Sequence, residues 1–266
     1  MSNENSLEER GFVVTPPLLN ETAIAELLLE LQSVESEQAI SSHEPAYALR
    51  NLFEAAPAVR RLATAHLLRS LVEPYLGGGC FAVRALYFDK TPSANWKVPY
   101  HQDITVSIAE RKDTEGFSQW THKDGALHAY APATVLENML TVRLHLDACG
   151  RDNGALRVLP GTHRYGRLNS AQVAEIRTRL AETVCEVDSG AALLMRPLLL
   201  HASSAAESPE HRRVIHIEYA NAPLPDGLEW REVITKEGNY SGYQKKGSSS
   251  NSGVALSPMK LLTVGR

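Results

Sequence analysis

The residues best suited to chemistry lie in the segment 100–106, whose sequence is YHQDITV. Its composition predicts a short strand, and successive side chains of a strand point to opposite faces. His101 and Asp103 are then expected to point the same way, while Gln102 points the other way. One imidazole and one carboxylate are two of the three ligands in the 2-His-1-carboxylate triad that binds non-haem Fe(II). The H-x-D spacing is common by chance, so a metal site requires a further ligand elsewhere in the chain.

The strongest candidate for that ligand is His201. It follows the apolar run 198–200 and precedes small polar residues, a pattern that predicts a histidine at the rim of a buried strand. Arg212 begins a later predicted strand, and its guanidinium could bind a carboxylate through two parallel hydrogen bonds. Ser203 could add a hydroxyl donor. Taken singly, His201 could cap a turn and Arg212 could lie on the surface. The joint order of these motifs favours a site.

The elements that must position these residues are a few early helices and many short strands. Helices are predicted at 21–31, 58–76 and 171–181, after a frayed tail at 1–9. The strands are predicted at 11–14, 80–88, 100–106, 139–146, 155–159, 184–187, 191–195 and 212–219. This pattern predicts a mainly β fold, a jelly roll or double-sheet barrel flanked by N-terminal helices. No repeat or domain boundary is apparent, so residues 1–266 are expected to form a single domain.

Two regions lack clear periodicity. Residues 109–136 are predicted to be a long loop that contains Trp120, Lys123 and His128. Long loops in compact domains are usually functional or disordered, and the aromatic and polar content here favours a lid or a substrate wall. Residues 223–266 are expected to be irregular, with a flexible Lys/Gly/Ser/Asn-rich run at 245–253.

Composition limits the partners and the compartment. The net charge is −4 and no basic block is present, which argues against nucleic acid as a partner. Three widely spaced cysteines, Cys80, Cys149 and Cys185, make a disulfide framework improbable and fit a reducing compartment. No apolar run reaches the length of a membrane span, and the N-terminus is polar. A cytoplasmic location without a membrane span is therefore expected, while the oligomeric state stays open.

Three segments resemble the phytanoyl-CoA dioxygenase family of Fe(II)/2-oxoglutarate-dependent oxygenases. They are NWKVPYHQD at 95–103, DNGALRVLPGTH at 152–163, and His201-Ala202-Ser203 followed by Arg212. The resemblance covers most of residues 11–220. It implies a double-stranded β-helix, which is a jelly-roll fold of the cupin type, and an Fe(II) ion held by His101, Asp103 and His201.

The resemblance also implies roles for the residues around the iron. Arg212 would pair with the distal carboxylate of 2-oxoglutarate, with help from Ser203. Arg143 falls where family members place a side chain that contacts the cosubstrate. Gln102 is expected to contact the cosubstrate or the shell around the iron. Arg213 would face away from Arg212 on the strand, which makes it the poorer candidate for the clamp.

The reaction implied by the resemblance consumes O2 and decarboxylates 2-oxoglutarate to succinate and CO2 while a small organic molecule is hydroxylated. Asp103 favours hydroxylation, desaturation or ring formation, because related halogenases lack this carboxylate. The alternatives are a cupin-like metal enzyme that does not use 2-oxoglutarate, and a catalytically silent small-molecule-binding protein of the same fold. Trp120, Lys123 and His128 are candidate substrate contacts. The sequence shows no clear basic entrance of the kind that an acyl-CoA would favour.

Overall fold

A computed structural model of the chain describes residues 3–42, 48–123, 125–207 and 210–242. Most of its helices precede the main run of strands, as the sequence predicts. The α-helices are α1 Asn3–Arg10, α2 Glu21–Ser42, α3 Leu52–Ala55, α4 Pro57–Thr64, α5 His66–Leu76, α6 Ala133–Leu136 and α7 Ser170–Arg179. None of the helices within these described residues has the length and apolar character needed to cross a bilayer.

The strands are short and follow one another closely after residue 80. They are β1 Phe12–Val14, β2 Ala48–Leu49, β3 Phe81–Lys90, β4 Val98–His101, β5 Thr105–Ile108, β6 Ser118–Lys123, β7 Ala126–Tyr130, β8 Met139–His145, β9 Leu156–Val158, β10 Thr183–Cys185, β11 Ala192–Met195, β12 His201–Ser203, β13 Arg212–Ala220, β14 Glu232–Ile234 and β15 Tyr240–Gly242.

Antiparallel pairing joins these strands into three sheets. The largest has the order β1-β11-β8-β13-β3-β14-β15, with β2 also paired to β3. The second has the order β10-β9-β12-β4, and the third has the order β5-β7-β6. In the first two sheets, strands that are distant in sequence are neighbours, so residues from the middle and the end of the chain meet.

Alternation along the central strands separates a core face from a polar face. On β13, the odd-numbered residues Ile215, Ile217 and Tyr219 belong to the main hydrophobic cluster, which also includes residues of helices α2 to α5. The Tyr219 hydroxyl donates to the carbonyl oxygen of Ala63 on α4 at 2.9 Å. The helices therefore cover one face of the large sheet, and the even-numbered residues of β13 are left on its other face.

Several predicted boundaries were wrong. Residues 3–10 form helix α1 and not a frayed tail, because Leu7 is fully buried and anchors it. The predicted helix at 58–76 is two helices, since Ala65 has extended backbone angles between them.

The predicted loop at 109–136 is mostly ordered secondary structure. It contains the β6–β7 hairpin and the short helix α6. The alternation in β7 was hidden because four of its five residues, including His128, are buried. Likewise, part of the predicted irregular C-terminal segment forms β14 and β15, and the run at 245–253 lies outside the described residues.

Candidate active site

Two histidines from distant parts of the sequence lie opposite each other on neighbouring strands. In the antiparallel pair β4–β12, His201 is the direct partner of His101. Their ring centroids are 4.2 Å apart. This register brings together two imidazoles that are separated by a hundred positions in the chain.

Asp103 completes the group from a position just beyond the strand. The prediction of one continuous strand over 100–106 was wrong, because β4 ends at His101 and β5 begins at Thr105. In the intervening turn, the amide N–H of Asp103 donates to the carbonyl oxygen of Pro197 at 2.9 Å. The Asp103 carboxylate lies 3.6 Å from Nε2 of His101 and 3.7 Å from Nε2 of His201.

Backbone contacts fix which nitrogen of each imidazole is available. Nδ1 of His101 lies 3.0 Å from the carbonyl oxygen of Pro99, and Nδ1 of His201 lies 2.9 Å from that of Leu199. A carbonyl oxygen can only accept, so each Nδ1 carries the hydrogen and each Nε2 keeps a lone pair when the ring is neutral. Metal-binding histidines commonly have this arrangement.

The electrostatics keep two of the three groups in a ligating state. Burial lowers the pKa of His201 to about 4, so this ring is neutral at pH 7. Burial alone would raise the pKa of Asp103, but the imidazoles of His201 and His101 hold it well below its usual range. The pKa of His101 is raised because its hydrogen bond and charge interaction with Asp103 outweigh the opposing effect of burial.

These three side chains fit an Fe(II) site. One ligand atom from each of them lies within 4.8 Å of the others. The donors are two imidazole nitrogens and one carboxylate oxygen, the set expected for a non-haem iron with positions open to other ligands.

A second feature near this group is a buried pair of cations. Arg212 and Lys90 are direct partners on the antiparallel strands β13 and β3, and both side chains are buried. Like charges directly opposite each other destabilise a sheet. Burial, followed by the charge of Arg212, lowers the pKa of Lys90 to about 8. Such a pair predicts an anion that binds beside it.

Unsatisfied donors around this pair support an anion site. Nε of Arg212, Nε of Arg143 and both ring nitrogens of His145 have no hydrogen-bond partner among the described residues; burial lowers the pKa of His145, so its neutral ring offers one donor. Buried polar groups are normally hydrogen-bonded, and each exception calls for an explanation. A dicarboxylate such as 2-oxoglutarate carries the charge and the acceptor oxygens that these donors lack.

Two other predicted cosubstrate residues lie in the same place. The Oγ of Ser203 accepts from Nζ of Lys90 at 3.1 Å. Nη1 of Arg143 lies 2.9 Å from Nδ1 of His216, and burial followed by the charge of Arg212 lowers the pKa of Arg143 to about 10. Ser203, Arg143 and Arg212 all line the cavity that contains the three candidate metal ligands.

Gln102 lines the cavity, and its side-chain amide is held by backbone groups. Its Nε2 donates to the carbonyl oxygens of Gly166 at 2.8 Å and Leu198 at 2.7 Å. Its Oε1 accepts from the amide N–H of Leu168 at 2.8 Å. Three backbone contacts occupy most of the hydrogen-bonding capacity of the amide. Gln102 therefore holds the segment before α7 against the chain that leads into β12.

Replacing Gln102 with alanine should destabilise the protein by roughly 2–3 kcal/mol, because three part-buried backbone groups lose their partner. Urea denaturation measures this change. The matched control is Gln172→Ala, at an exposed capping position of α7, which should cost about 1 kcal/mol or less. If Gln102→Ala had unchanged stability but a higher KM for 2-oxoglutarate, the expectation that Gln102 contacts the cosubstrate would be supported instead.

The three predicted substrate residues separate in the structure. Lys123 lines the cavity, whereas Trp120 and His128 do not. Trp120 instead stacks on Phe117 with ring centroids 6.4 Å apart. His128 is buried and does not line the cavity. Of the three residues, only Lys123 stays a predicted substrate contact.

Other cavity residues were missed by sequence reasoning. Arg84, His216 and Glu218 line the cavity, and Glu218 contacts both Arg84 at 3.2 Å and His216 at 3.3 Å. The available signal was the alternation of β13, which places Arg212, His216 and Glu218 on one face. Lys90 was missed because the predicted strand ended two residues too early.

The cavity has a volume of about 860 Å³. This size lies within the range of small-molecule sites in proteins. Its apolar lining residues include Leu86, Phe88, Ile104 and Leu156. The arrangement can thus hold a metal ion and an anionic cosubstrate, with further space for an organic compound.

Comparison with known proteins places this arrangement in a family context. The family model described as Phytanoyl-CoA dioxygenase (PhyH) matches residues 7–214, which is most of the chain. No protein with a curated description matches the sequence significantly.

Several solved structures have a similar fold. AviO1 from Streptomyces viridochromogenes Tue57 is 22% identical with a TM-score of 0.61, over 84% of this chain and 95% of AviO1. EctD from S. alaskensis, solved with 2-oxoglutarate and 5-hydroxyectoine, is 17% identical with a TM-score of 0.63, over 83% and 76%. EvdMO1 is 22% identical with a TM-score of 0.63, and the match covers 82% of this chain but only 49% of EvdMO1. These likenesses confirm the predicted jelly-roll fold.

Proposed function

The chain belongs to the phytanoyl-CoA dioxygenase (PhyH) family, and on that premise we propose that His101, Asp103 and His201 bind its catalytic iron. The protein is an Fe(II)/2-oxoglutarate-dependent oxygenase that acts on a small molecule. The observation that carries the residue assignment is that one ligand atom from each of two imidazoles and one carboxylate lie within 4.8 Å of one another in the cavity.

When bound, Fe(II) and 2-oxoglutarate would activate O2, which is the oxidant: one oxygen atom goes to succinate as 2-oxoglutarate loses CO2, and the other goes to the hydroxylated substrate. The contribution of the chain is to hold the ligands in place. Backbone carbonyls orient both imidazoles through Nδ1, so no ring rotation is needed when the metal binds. Asp103 is held in the ionised form that a metal ligand requires.

Arg212 is the proposed clamp for the distal carboxylate of 2-oxoglutarate, with Lys90 and Ser203 beside it. The guanidinium can bind a carboxylate through two parallel hydrogen bonds. The buried contact between two cations favours this assignment over the cupin-like alternative, because an enzyme that does not use 2-oxoglutarate would leave both charges uncompensated. Arg143 is proposed to contact the same anion through its unpartnered Nε.

The direct test is succinate formation by the purified protein with Fe(II), ascorbate and 2-oxoglutarate, in a screen of small organic molecules. We expect slow succinate release without a substrate and faster release with one. Omission of iron or 2-oxoglutarate should reduce the rate to background. A protein that binds iron but forms no iron-dependent succinate with any compound would favour the catalytically silent alternative.

The β6–β7 hairpin is proposed to act as a wall that closes over the substrate, since Lys123 and Tyr130 line the cavity from this hairpin. Backbone amides of residues 109–136 should therefore exchange more slowly with deuterium when a stimulating compound binds to the anaerobic Fe(II)/2-oxoglutarate protein. Helix α4, on the opposite side of the large sheet, serves as the internal reference. Equal protection in both regions would remove the proposed role of the hairpin.

A further inference from the structure

The cavity wall carries an excess of positive charge that the catalytic components do not use. Of the described residues that line the cavity, six are basic and two are acidic, although the whole chain has a net charge of −4. If the proposed function holds, the charges of Fe(II), 2-oxoglutarate, Asp103 and Arg212 cancel. The remaining charged residues that line the cavity are five basic side chains, one of which is Arg143 of the proposed cosubstrate site, and Glu218.

Three of these basic residues are here called the basic end: Arg50, Arg84 and Lys123 all line the cavity, and all three lie close enough to His128 for their charges to lower its pKa. Arg50 follows β2, Arg84 lies on β3 and Lys123 ends β6. Burial lowers the pKa of His128 to about 4, Arg84, Arg50 and Lys123 add to the lowering, and Glu218 alone opposes it. The local potential is therefore positive.

The acidic residue at this end is already engaged. Glu218 contacts Arg84 at 3.2 Å and His216 at 3.3 Å, so its carboxylate already has partners among the residues of the cavity wall. Lys123 is exposed and has no hydrogen-bond or ion-pair partner among the described residues. Its ammonium group is available to a ligand in the cavity.

The space between the basic end and the candidate iron site is partly apolar. Leu86 and Phe88 lie on the same strand as Arg84 and alternate with core residues, so all three face the cavity. Ile104 also lines this space. A ligand that fits such a wall has an apolar body and an anionic group at one end.

We propose that the substrate is an amphipathic organic anion whose carboxylate or phosphate group binds Arg50, Arg84 and Lys123, with its apolar body directed toward His101, Asp103 and His201. This inference rests on the proposed function for the location of the reaction, but the recognition of an anion depends only on the wall. Arg212 is reserved for the cosubstrate, so the two anions bind at different places in one cavity.

The test uses two fluorescent probes that differ by one charge. 8-Anilino-1-naphthalenesulfonate is an amphipathic anion, and N-phenyl-1-naphthylamine has the same rings without the sulfonate. Both are titrated into the anaerobic Fe(II) protein with saturating 2-oxoglutarate, which occupies the Arg212 site and prevents turnover. The anionic probe should bind at least about tenfold more tightly than the neutral one, and its affinity should fall with salt.

Charge-reversal variants show where the anion binds. Lys123→Glu should weaken the anionic probe roughly tenfold and change the neutral probe less than about twofold. The matched control is Lys97→Glu, an exposed lysine that does not line the cavity, and it should leave both probes within about twofold. Equal binding of the two probes, or equal effects of the two variants, would overturn the proposal.

Displacement of the bound sulfonate probe identifies the anionic group. Octanoate and octyl phosphate represent the two candidate groups, and octanol and octylamine are the neutral and cationic controls. Stronger displacement by either anion supports the proposal, whereas equal or stronger displacement by octanol or octylamine contradicts it. These measurements do not depend on succinate formation. Failure of the proposed function would appear in the succinate assay, and failure of the anionic-substrate proposal would appear in the probe titrations.

Discussion

Replacing Asp103 with alanine should abolish iron-dependent succinate formation, with a loss of at least about 100-fold, because the proposed iron site would lose its carboxylate ligand. Outer residues that merely orient a ligand already change metal affinity or activity by about 10–100-fold when removed. The carboxylate lies within 3.7 Å of both imidazoles, so its removal also takes away the group that draws them together. Iron binding at equilibrium and succinate release measure the two consequences separately.

Asp147→Ala is the matched control for this variant. Asp147 is also a partly exposed aspartate that contacts basic groups, but its partner is Arg213 and it does not line the cavity. This control should retain iron binding and succinate formation, and only its free energy of unfolding should be lower. If Asp103→Ala kept its iron-dependent turnover, the proposed ligand set would be wrong.

Arg212→Ala should raise the apparent KM for 2-oxoglutarate by roughly 10–100-fold, which corresponds to the loss of a charge-assisted hydrogen-bonded pair. The guanidinium is buried, faces the cavity and donates to the carbonyl oxygen of Gly154. Arg212→Lys should be intermediate, because it keeps the charge but loses the paired donors. Steady-state succinate formation over a range of 2-oxoglutarate concentrations gives the values.

The neighbouring Arg213 is the internal control. It lies on the opposite face of β13 and contacts both carboxylate oxygens of Asp147, at 2.7 and 2.6 Å. Arg213→Ala should change the KM for 2-oxoglutarate less than about twofold. It should lower the free energy of unfolding by about 1 kcal/mol, since this pair is partly exposed to solvent. Similar increases in KM for the two arginine variants would rule out Arg212 as the specific clamp.

A buried polar chain connects the two ends of the cavity. Arg84 contacts Glu218 at 3.2 Å, Glu218 contacts His216 at 3.3 Å, and His216 contacts Arg143 at 2.9 Å. These residues come from the adjacent strands β3, β13 and β8. Each of these four side chains contacts another member of the group, so this part of the cavity wall is held in place before any ligand binds. That limits the reorganisation that binding requires.

Much of the fold was predictable because periodicity is a local property. The alternation of β13 distinguishes Arg212 from Arg213 without any knowledge of neighbouring strands. The apolar run 198–200 indicated a buried strand that ends at His201; His201 is buried, but the run is not a strand, and β12 begins at His201. By contrast, β7 has no visible alternation because it is buried on both faces, so the hairpin was mistaken for a loop.

The sequence by itself determined the chemical inventory: two histidines, an aspartate and an arginine of suitable type and order, on strands of a mainly β chain. Only the tertiary structure decided which of them meet. The register that pairs His201 with His101, and Arg212 with Lys90, depends on strand partners far apart in the chain. The same is true of the basic end, where Arg50, Arg84 and Lys123 converge although the sequence has no basic block. The face of a strand on which a side chain lies follows from its position along that strand, whereas the register between strands is determined by the packing of the whole core.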